Sequence, residues 1–487
     1  MANTLMLSDK PRVLIVGGGY VGLYVAKALE KKVRAAGGVV TVVDPLPYMT
    51  YQPFLPEVIG GHIESRHALV SHRMHLRETE LITGKVVSVD HDRKIAIVRD
   101  PDRHYFEVKY RDIVMSAGAT TRTFPIEGLV DHGIGLKTIE EAVTVRNKIL
   151  ERLETASIME ESPAKRRALT FTVVGGGFAG IEAVAEMEDL IRVAVKATPR
   201  LQQSDVRIVL IEAAPRIMPE ITEEQAVQVV EDLRARGIEV LLNTSLDSCV
   251  DGHMKLISMK DKSVVDEFQS DTLLWTAGVE ASKVAKRTPF PIDARGRIMA
   301  EPTLQVSDGD GGVIEGAWTA GDISAVPDLT GGGVGGYCVP NAQHAVRQAK
   351  LLAKNLLAAR YGKGHIQQYK HKSLGAVAGL GMFKGVGTPM GIKLSGFPAW
   401  LAHRGYHGMA MPTIERKLRV LSGWTNELLL GRDFAQLKDL ITPYRQFQEA
   451  AGKRSKESLE EQERFEAAAA KQKAELEKEH AAKEATK

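Results

Sequence analysis

Short apolar runs, glycine clusters and helix-spaced apolar residues follow one another along the chain, and two blocks share one order. In VLIVGGGYVGLYVAKAL (13–29), four β-prone residues end at glycines, and a helix-patterned run follows with Ala26 and Leu29 on one face. TFTVVGGGFAGIEAVAEM (170–187) repeats the order. Each block predicts a strand, a tight turn and a helix. A second β-prone run then ends on an acid, VVTVVD at Asp44 and VRIVLIE at Glu212. Further strands are predicted where DIVMSAGAT (112–120), TLLWTAGV (272–279) and GAWTAGDISAVP (316–327) run into glycine. Later, GGGVGGYCVPNAQHAVRQAKLLAKNL (331–356) reads as a glycine-rich loop entering an amphipathic helix. Alternating strands and helices of this kind predict an α/β fold.

The glycine spacing adds chemistry. Gly17, Gly19 and Gly22 stand at GxGxxG spacing: the first permits the turn, the second lets backbone approach a pyrophosphate, and the third lets helix pack on strand. The helix N-terminus then offers N–H groups and a positive dipole end to phosphates. Asp44, 22 positions beyond Gly22, can accept both hydroxyls of an adenosine ribose. Gly175, Gly177 and Gly180 form the second fingerprint, with Glu212 following 32 positions after Gly180. That exceeds the usual ~20, and ATPRLQQSD supplies the extra loop. An acid at Glu212 repels a 2′-phosphate and favours NADH over NADPH, while Arg216 nearby pulls the other way. A GxGxxG alone also fits a bare βαβ turn; the strand, helix and acid around each one point to a dinucleotide. Two fingerprints mean two dinucleotides.

At 487 residues the chain is expected to hold more than one domain. With 44% hydrophobic and 26% charged residues it has an ordinary soluble composition, and a net charge of +3 makes no case for nucleic acid. The two cysteines, Cys249 and Cys338, allow no disulfide framework and no CxxC pair, which fits a reducing cytoplasm. MANTLMLSDKPR lacks the form of a signal peptide, and no apolar run approaches the ~20 residues of a bilayer span. A cytoplasmic protein is expected, one still able to lie on a membrane. No metal site is expected.

Ala320-Gly321-Asp322 resembles the second flavin motif of the two-dinucleotide, disulfide-reductase-like flavoproteins, in which the aspartate binds the ribityl chain of FAD. Alone, Asp322 is equally a turn residue. DIVMSAGAT, which contains Ala119, and TLLWTAGV, which contains Gly278, resemble the segments by which chain leaves each nucleotide domain. AQHAVRQ, with Gln343 and Gln348, resembles the AQxAxxQ signature of the type II NADH:quinone oxidoreductases, where this helix lines the quinone site. Read without that resemblance, the glutamines fit a helix surface equally well. YMTYQPFLPEVIGG (48–61), VLIEAAPRIMP (209–219) and residues 401–433 are similar to further family segments, in the family's order. The segment GLGMFKGVGTPMG (379–391) does not align. Glu182 matches a family glutamate placed between nicotinamide and flavin, implied to help bind NADH and relay protons; a helix N-terminal acid favoured by the dipole is the plainer reading.

The resemblance implies an FAD-dependent NADH:quinone oxidoreductase of the respiratory chain that pumps no protons. It implies catalytic roles for Glu182 and Gln343, and a quinone pocket bordered by Gln343 and Gln348. The expected architecture is α/β, with two Rossmann-like domains, the NADH domain inserted in the FAD domain, and a C-terminal membrane-associated region. The expected divisions are 1–165 and 286–365 for FAD, 166–285 for NADH, 366–447 for the membrane-associated region and 448–487 for a charged, partly helical tail. From residue 370 to 447, eleven basic residues stand against four acidic ones. There Trp400, Leu401, Tyr406, Met409, Met411, Leu418, Val420, Leu421, Trp424, Leu428 and Leu429 interleave with His403, Arg404, Arg416, Lys417 and Arg419. Such a stretch suits an anionic lipid interface, and equally a basic folded surface or a homodimer interface. A lipid-soluble quinone favours a peripheral, monotopic position on the cytoplasmic side of the cell membrane. A soluble ferredoxin or rubredoxin reductase is the rival enzyme, and a redox-sensing nucleotide-binding protein the rival from another class.

Overall fold

The run Arg12–Val16 is buried along its whole length, as a strand covered on both faces must be. In the computed structural model, residues 7–371, 373–437 and Ala467 are described. The chain divides into two units, Met1–Phe434 and Ala435–Lys487, and every element named below belongs to the first. The expected tail, Ala467 apart, and the region from 438 to 447 lie outside the described residues.

Arg12–Val16 sits inside a six-stranded sheet of order Gln305–Ser307, Val313–Thr319, Asp112–Met115, Arg12–Val16, Val39–Asp44, Thr79–Thr83. All neighbours run parallel except the first pair. Helix α1 (Tyr20–Ala35) leaves the first strand through the glycine turn and buries Ala26 and Leu29 completely. A short helix α2 (Leu55–Gly60) follows and ends on Gly61 in the left-handed region.

Strand Ala119–Thr121 carries the chain out of this sheet. It pairs antiparallel with Val279–Ala281, which brings the chain back. Between them lies a second, wholly parallel sheet: Gly133–Ile134, Thr272–Trp275, Thr170–Val174, Arg207–Ile211, Ile238–Leu241. This sheet takes in a two-residue edge strand before residue 166, too short to leave a periodic signal in sequence. Helix α3 (Ile139–Ser157) starts on a capping box in which Thr138 and Glu141 satisfy each other's backbone N–H groups. Helix α4 (Phe178–Ala197) leaves the second glycine turn and is buried on most sides.

Helix α5 (Ala342–Tyr361) starts on Asn341, whose side chain accepts from the His344 N–H, and packs along α1. Three short antiparallel strands follow, Val377–Gly379, Gly385–Gly387 and Leu394–Ser395. The segment that aligned with nothing in sequence is this sheet. A Cβ at Gly385 would lie 2.6 Å from the Trp400 backbone nitrogen, and one at Gly387 2.4 Å from the Ala376 oxygen, so these glycines serve close packing. Helices α6 (Gly396–Ala410) and α7 (Ile414–Leu430) end the described fold.

The C-terminal residues do not share one environment. Trp400, His403, Arg404, Met411, Val420 and Trp424 are buried, while Leu401, Met409, Ile414, Leu418, Leu421, Leu428 and Leu429 are exposed. Reading His403, Arg404 and both tryptophans as surface anchors is therefore corrected. They form the inner face of the hairpin and stack there, with Arg404 over both indole rings. Among the described residues no helix is long and apolar enough to cross a membrane.

Candidate functional site

The two glycine turns are built alike. Gly17 (φ +99°) and Gly175 (φ +114°) adopt backbone that side-chain-bearing residues avoid. A Cβ at Gly22 would lie 1.9 Å from the Gly17 oxygen, and one at Gly180 equally 1.9 Å from that of Gly175. At Gly19 and Gly177, by contrast, a Cβ would meet nothing within 4 Å. Both are N-caps without a capping side chain, and neither helix has an acid in its first turn. Each turn thus presents a helix N-terminus, free of side-chain caps, to open space, as a diphosphate requires.

Each fingerprint acid closes on its own turn. Asp44 accepts from Gly18 N at 2.5 Å and Leu46 N at 2.7 Å; burial raises its pKa despite these bonds. Glu212 accepts from Gly176 N at 2.5 Å and Ala214 N at 2.6 Å. Arg216 turns away, donating to the Ile221 carbonyl at 2.6 Å and reaching those of Met218 and Pro219. All three contacts are made by Nη2, and Nε has no hydrogen-bond partner among the described residues. His72 was not singled out in sequence. Its Nε2 lies 2.8 Å from the Gly18 oxygen, and its ring fills the space a Cβ at Gly18 would need.

Ala119 and Gly278 sit at the crossing between the sheets, Ala119 paired with Ala281 and Gly278 (φ +105°) facing open space. Asp322 lies in the turn after strand Val313–Thr319, and burial raises its pKa against the opposing charge of Lys137. Gln348 is buried, and its Oε1 accepts from Gly321 N at 2.8 Å. That amide holds the Asp322 turn in place, a task its expected position on a quinone pocket did not include. Gln343 lies on the other side of α5 and donates to the Gly375 oxygen at 3.1 Å. Its Oε1 is buried and has no hydrogen-bond partner among the described residues. Glu182 accepts from Gly379 N at 3.0 Å. Gln343 and Glu182 therefore grip the two ends of one short segment, 375–379.

Glu182 also begins an acidic face on α4, continued one and two turns later by Glu186 and Asp189. His403 Nε2 lies 3.1 Å from Glu182 Oε1, off line for a hydrogen bond but close enough for an ion pair. Burial opposes a charge on His403, yet Glu182 prevails and its pKa is raised. Glu186 and Glu427 clasp the two ring nitrogens of the fully buried His62. Burial again opposes, and the two carboxylates push His62 up to about 9. Arg404 lies 3.6 Å from Glu427, and Arg432 reaches Glu427 at 3.7 Å and Asp189 at 3.8 Å. Glu57 accepts from the Trp424 indole at 2.6 Å. The hairpin α6–α7 is thus held to α2 and α4 by a desolvated charge network. Sequence reading missed His62, Glu186, Glu427 and Arg432. The available signal was the helical spacing of Glu182, Glu186 and Asp189 on α4.

The sequence pattern of the pyridine nucleotide-disulphide oxidoreductase family matches residues 11–349. The chain is 26% identical over 432 residues to the type II NADH:quinone oxidoreductase Ndh of Mycobacterium tuberculosis, covering 86% of this chain and 89% of that one. It is 25% identical over 394 residues to the type II NADH:quinone oxidoreductase of Staphylococcus aureus, covering 80% and 92%. The fold is similar to that of NDH2 from Plasmodium falciparum solved with NADH, with a TM-score of 0.80 at 19% identity over 88% of this chain and all of that one. With a match spanning both glycine turns and the Asp322 motif, the chain belongs to the pyridine nucleotide-disulphide oxidoreductase family.

Proposed function

We propose that this protein is an FAD-dependent NADH:quinone oxidoreductase, working from a membrane surface without pumping protons. Two uncapped glycine turns, each closed by its own acid and set in separate parallel sheets, carry the reading. Residues 1–165 and 286–365 hold FAD, with Gly17, Gly19, Gly22, Asp44, Ala119 and Asp322 as its contacts. Residues 166–285 receive NADH at Gly175, Gly177, Gly180, Glu212 and Gly278. FAD, when bound, takes a hydride equivalent from NADH and passes two electrons to quinone. Glu212 sets the preference for NADH, because its carboxylate repels a 2′-phosphate.

The acceptor reading draws on three supports. Cys249 and Cys338 are both buried and far apart in sequence, which leaves no dithiol to reduce. Relatives matching most of the chain are named type II NADH:quinone oxidoreductases. Gln343 and Glu182 meet at the 375–379 segment, where a polar rim for a quinone is available. The exposed leucines of α7, flanked by Arg416, Lys417 and Arg419, suit a peripheral seat on the cytoplasmic leaflet. Full-length, FAD-loaded protein should oxidise NADH with a soluble quinone analogue and gain nothing from ferredoxin. Ferredoxin-dependent turnover without quinone reduction would establish the rival enzyme instead. Gln343→Ala should slow quinone reduction more than ferricyanide reduction.

A further inference from the structure

The middle glycine of each turn has both of its backbone groups held. Gly18 N donates to Asp44 Oδ2 at 2.5 Å, and Gly176 N to Glu212 Oε2 at 2.5 Å. On the carbonyl side the two turns differ. The Gly176 oxygen accepts from the Met218 backbone N–H at 2.8 Å, in the loop that follows Glu212. The Gly18 oxygen accepts from a side chain, His72 Nε2, at 2.8 Å and 54 positions further along the chain. The loop after Asp44 contains Pro45 and Pro47, which have no N–H to give. The imidazole stands where the second turn uses backbone.

Resting on the reading of the first turn as the FAD site, we propose that His72 is a positioning residue for FAD: its Nε2–H fixes the Gly18–Gly19 peptide so that the Gly19 N–H is presented to the cofactor's diphosphate. No peptide among the described residues is cis, and in a trans peptide C=O and N–H point opposite ways. Holding the Gly18 oxygen on His72 therefore turns the Gly19 N–H to the other side. Gly19 is the N-cap of α1, has no capping side chain, and would have nothing within 4 Å of a Cβ. An anion arriving there meets a donor already oriented, so less ordering is charged against binding.

The surroundings suit a fixed, neutral donor. His72 is buried, and its own backbone N–H donates to the Pro47 oxygen at 3.0 Å. A carbonyl oxygen only accepts, so the ring proton sits on Nε2. Burial holds the His72 pKa below its ordinary value, against the pull of the Gly18 carbonyl and the Asp44 charge. The ring also explains the middle glycine. Gly18 does not adopt the left-handed region, yet a Cβ there would lie 2.3 Å from His72 Cε1 and 2.7 Å from Nε2, and the three atoms nearest to it all belong to His72. Glycine is needed at that position to make room for the imidazole.

The test uses the full-length, FAD-loaded protein. His72→Phe keeps a ring in the space and deletes the donor, whereas His72→Gln keeps a donor. Flavin release, followed by fluorescence after dilution, should be about tenfold faster or more in His72→Phe and close to wild type in His72→Gln. NADH affinity should be unchanged in both, because Gly176 keeps its backbone donor. Gly18→Ala should also release FAD faster, by displacing the ring. Once the ring is gone the methyl costs nothing more, so Gly18→Ala with His72→Ala should match His72→Ala alone. In wild type, 15N imidazole NMR should find His72 protonated on Nε2, a measurement that needs no variant. Wild-type flavin retention in His72→Phe, equal losses in His72→Phe and His72→Gln, additive losses in the double variant, or a ring protonated on Nδ1 alone would overturn the role of His72. A wild-type protein that binds NADH but no FAD would overturn the proposed function as well.

Discussion

Replacing His62 with leucine removes the centre of the charge network that holds α6–α7 in place. The ring is fully enclosed between Glu186 and Glu427, so the variant leaves two carboxylates facing each other without an imidazolium between them. Breaking a buried ion pair from one side costs ~3–5 kcal/mol. The titration supplies an independent figure. A pKa of about 9 in the fold, against ~6.5 in the unfolded chain, is worth ~3 kcal/mol. Because the folded value is the higher one, this stabilisation is complete below pH ~6.5 and is lost as pH rises through about 9. Amide hydrogen exchange of α7 between pH 6 and 9.5 reads the local opening free energy. Wild type should lose protection across that window. His62→Leu should start several kcal/mol lower and stay flat. A loss below ~1 kcal/mol, or the same decline with pH in the variant, would refute the network's role.

Other expectations concern the ligands and the membrane. Gln348→Leu leaves the Gly321 N–H without its partner at ~1–3 kcal/mol, so FAD should dissociate about tenfold more readily; unchanged flavin retention with a raised quinone KM would put Gln348 on the acceptor instead. Glu212→Gln removes the carboxylate facing a 2′-phosphate and should raise the NADPH-to-NADH ratio of kcat/KM by about tenfold or more. Leu418→Glu combined with Leu421→Glu, two exposed positions, should release the protein from anionic vesicles at unchanged thermal stability. Unaltered vesicle binding, or a dimer that dissociates instead, would assign the face to a second copy of the chain.

The strand–glycine–helix blocks and their acids were legible in sequence because local backbone chemistry dictates them. A left-handed turn needs glycine at Gly17 and Gly175, and a buried parallel strand reads as unbroken apolar residues. The direction of a side chain on a helix was not legible. Gln343 and Gln348 share α5, yet one reaches the 375–379 segment and the other the Asp322 turn. His403 and Arg404 looked like headgroup contacts because basic residues alternate with apolar ones there. The inward turn of His403 depends on Glu182 of α4, more than two hundred residues earlier in the chain, and that of Arg404 on Glu427 of the neighbouring helix α7. Charge pairing over that separation becomes visible only once both sheets and the C-terminal hairpin are in place.

The central claim is that electrons from NADH leave this protein on a quinone. Anaerobic single turnover tests it most directly: FAD-loaded protein is bleached with one equivalent of NADH, then mixed with a soluble quinone analogue while flavin absorbance and quinol are followed together. The account predicts flavin recovery with one quinol formed per flavin. Flavin that stays reduced in excess quinone, yet recovers on adding ferredoxin, would contradict it.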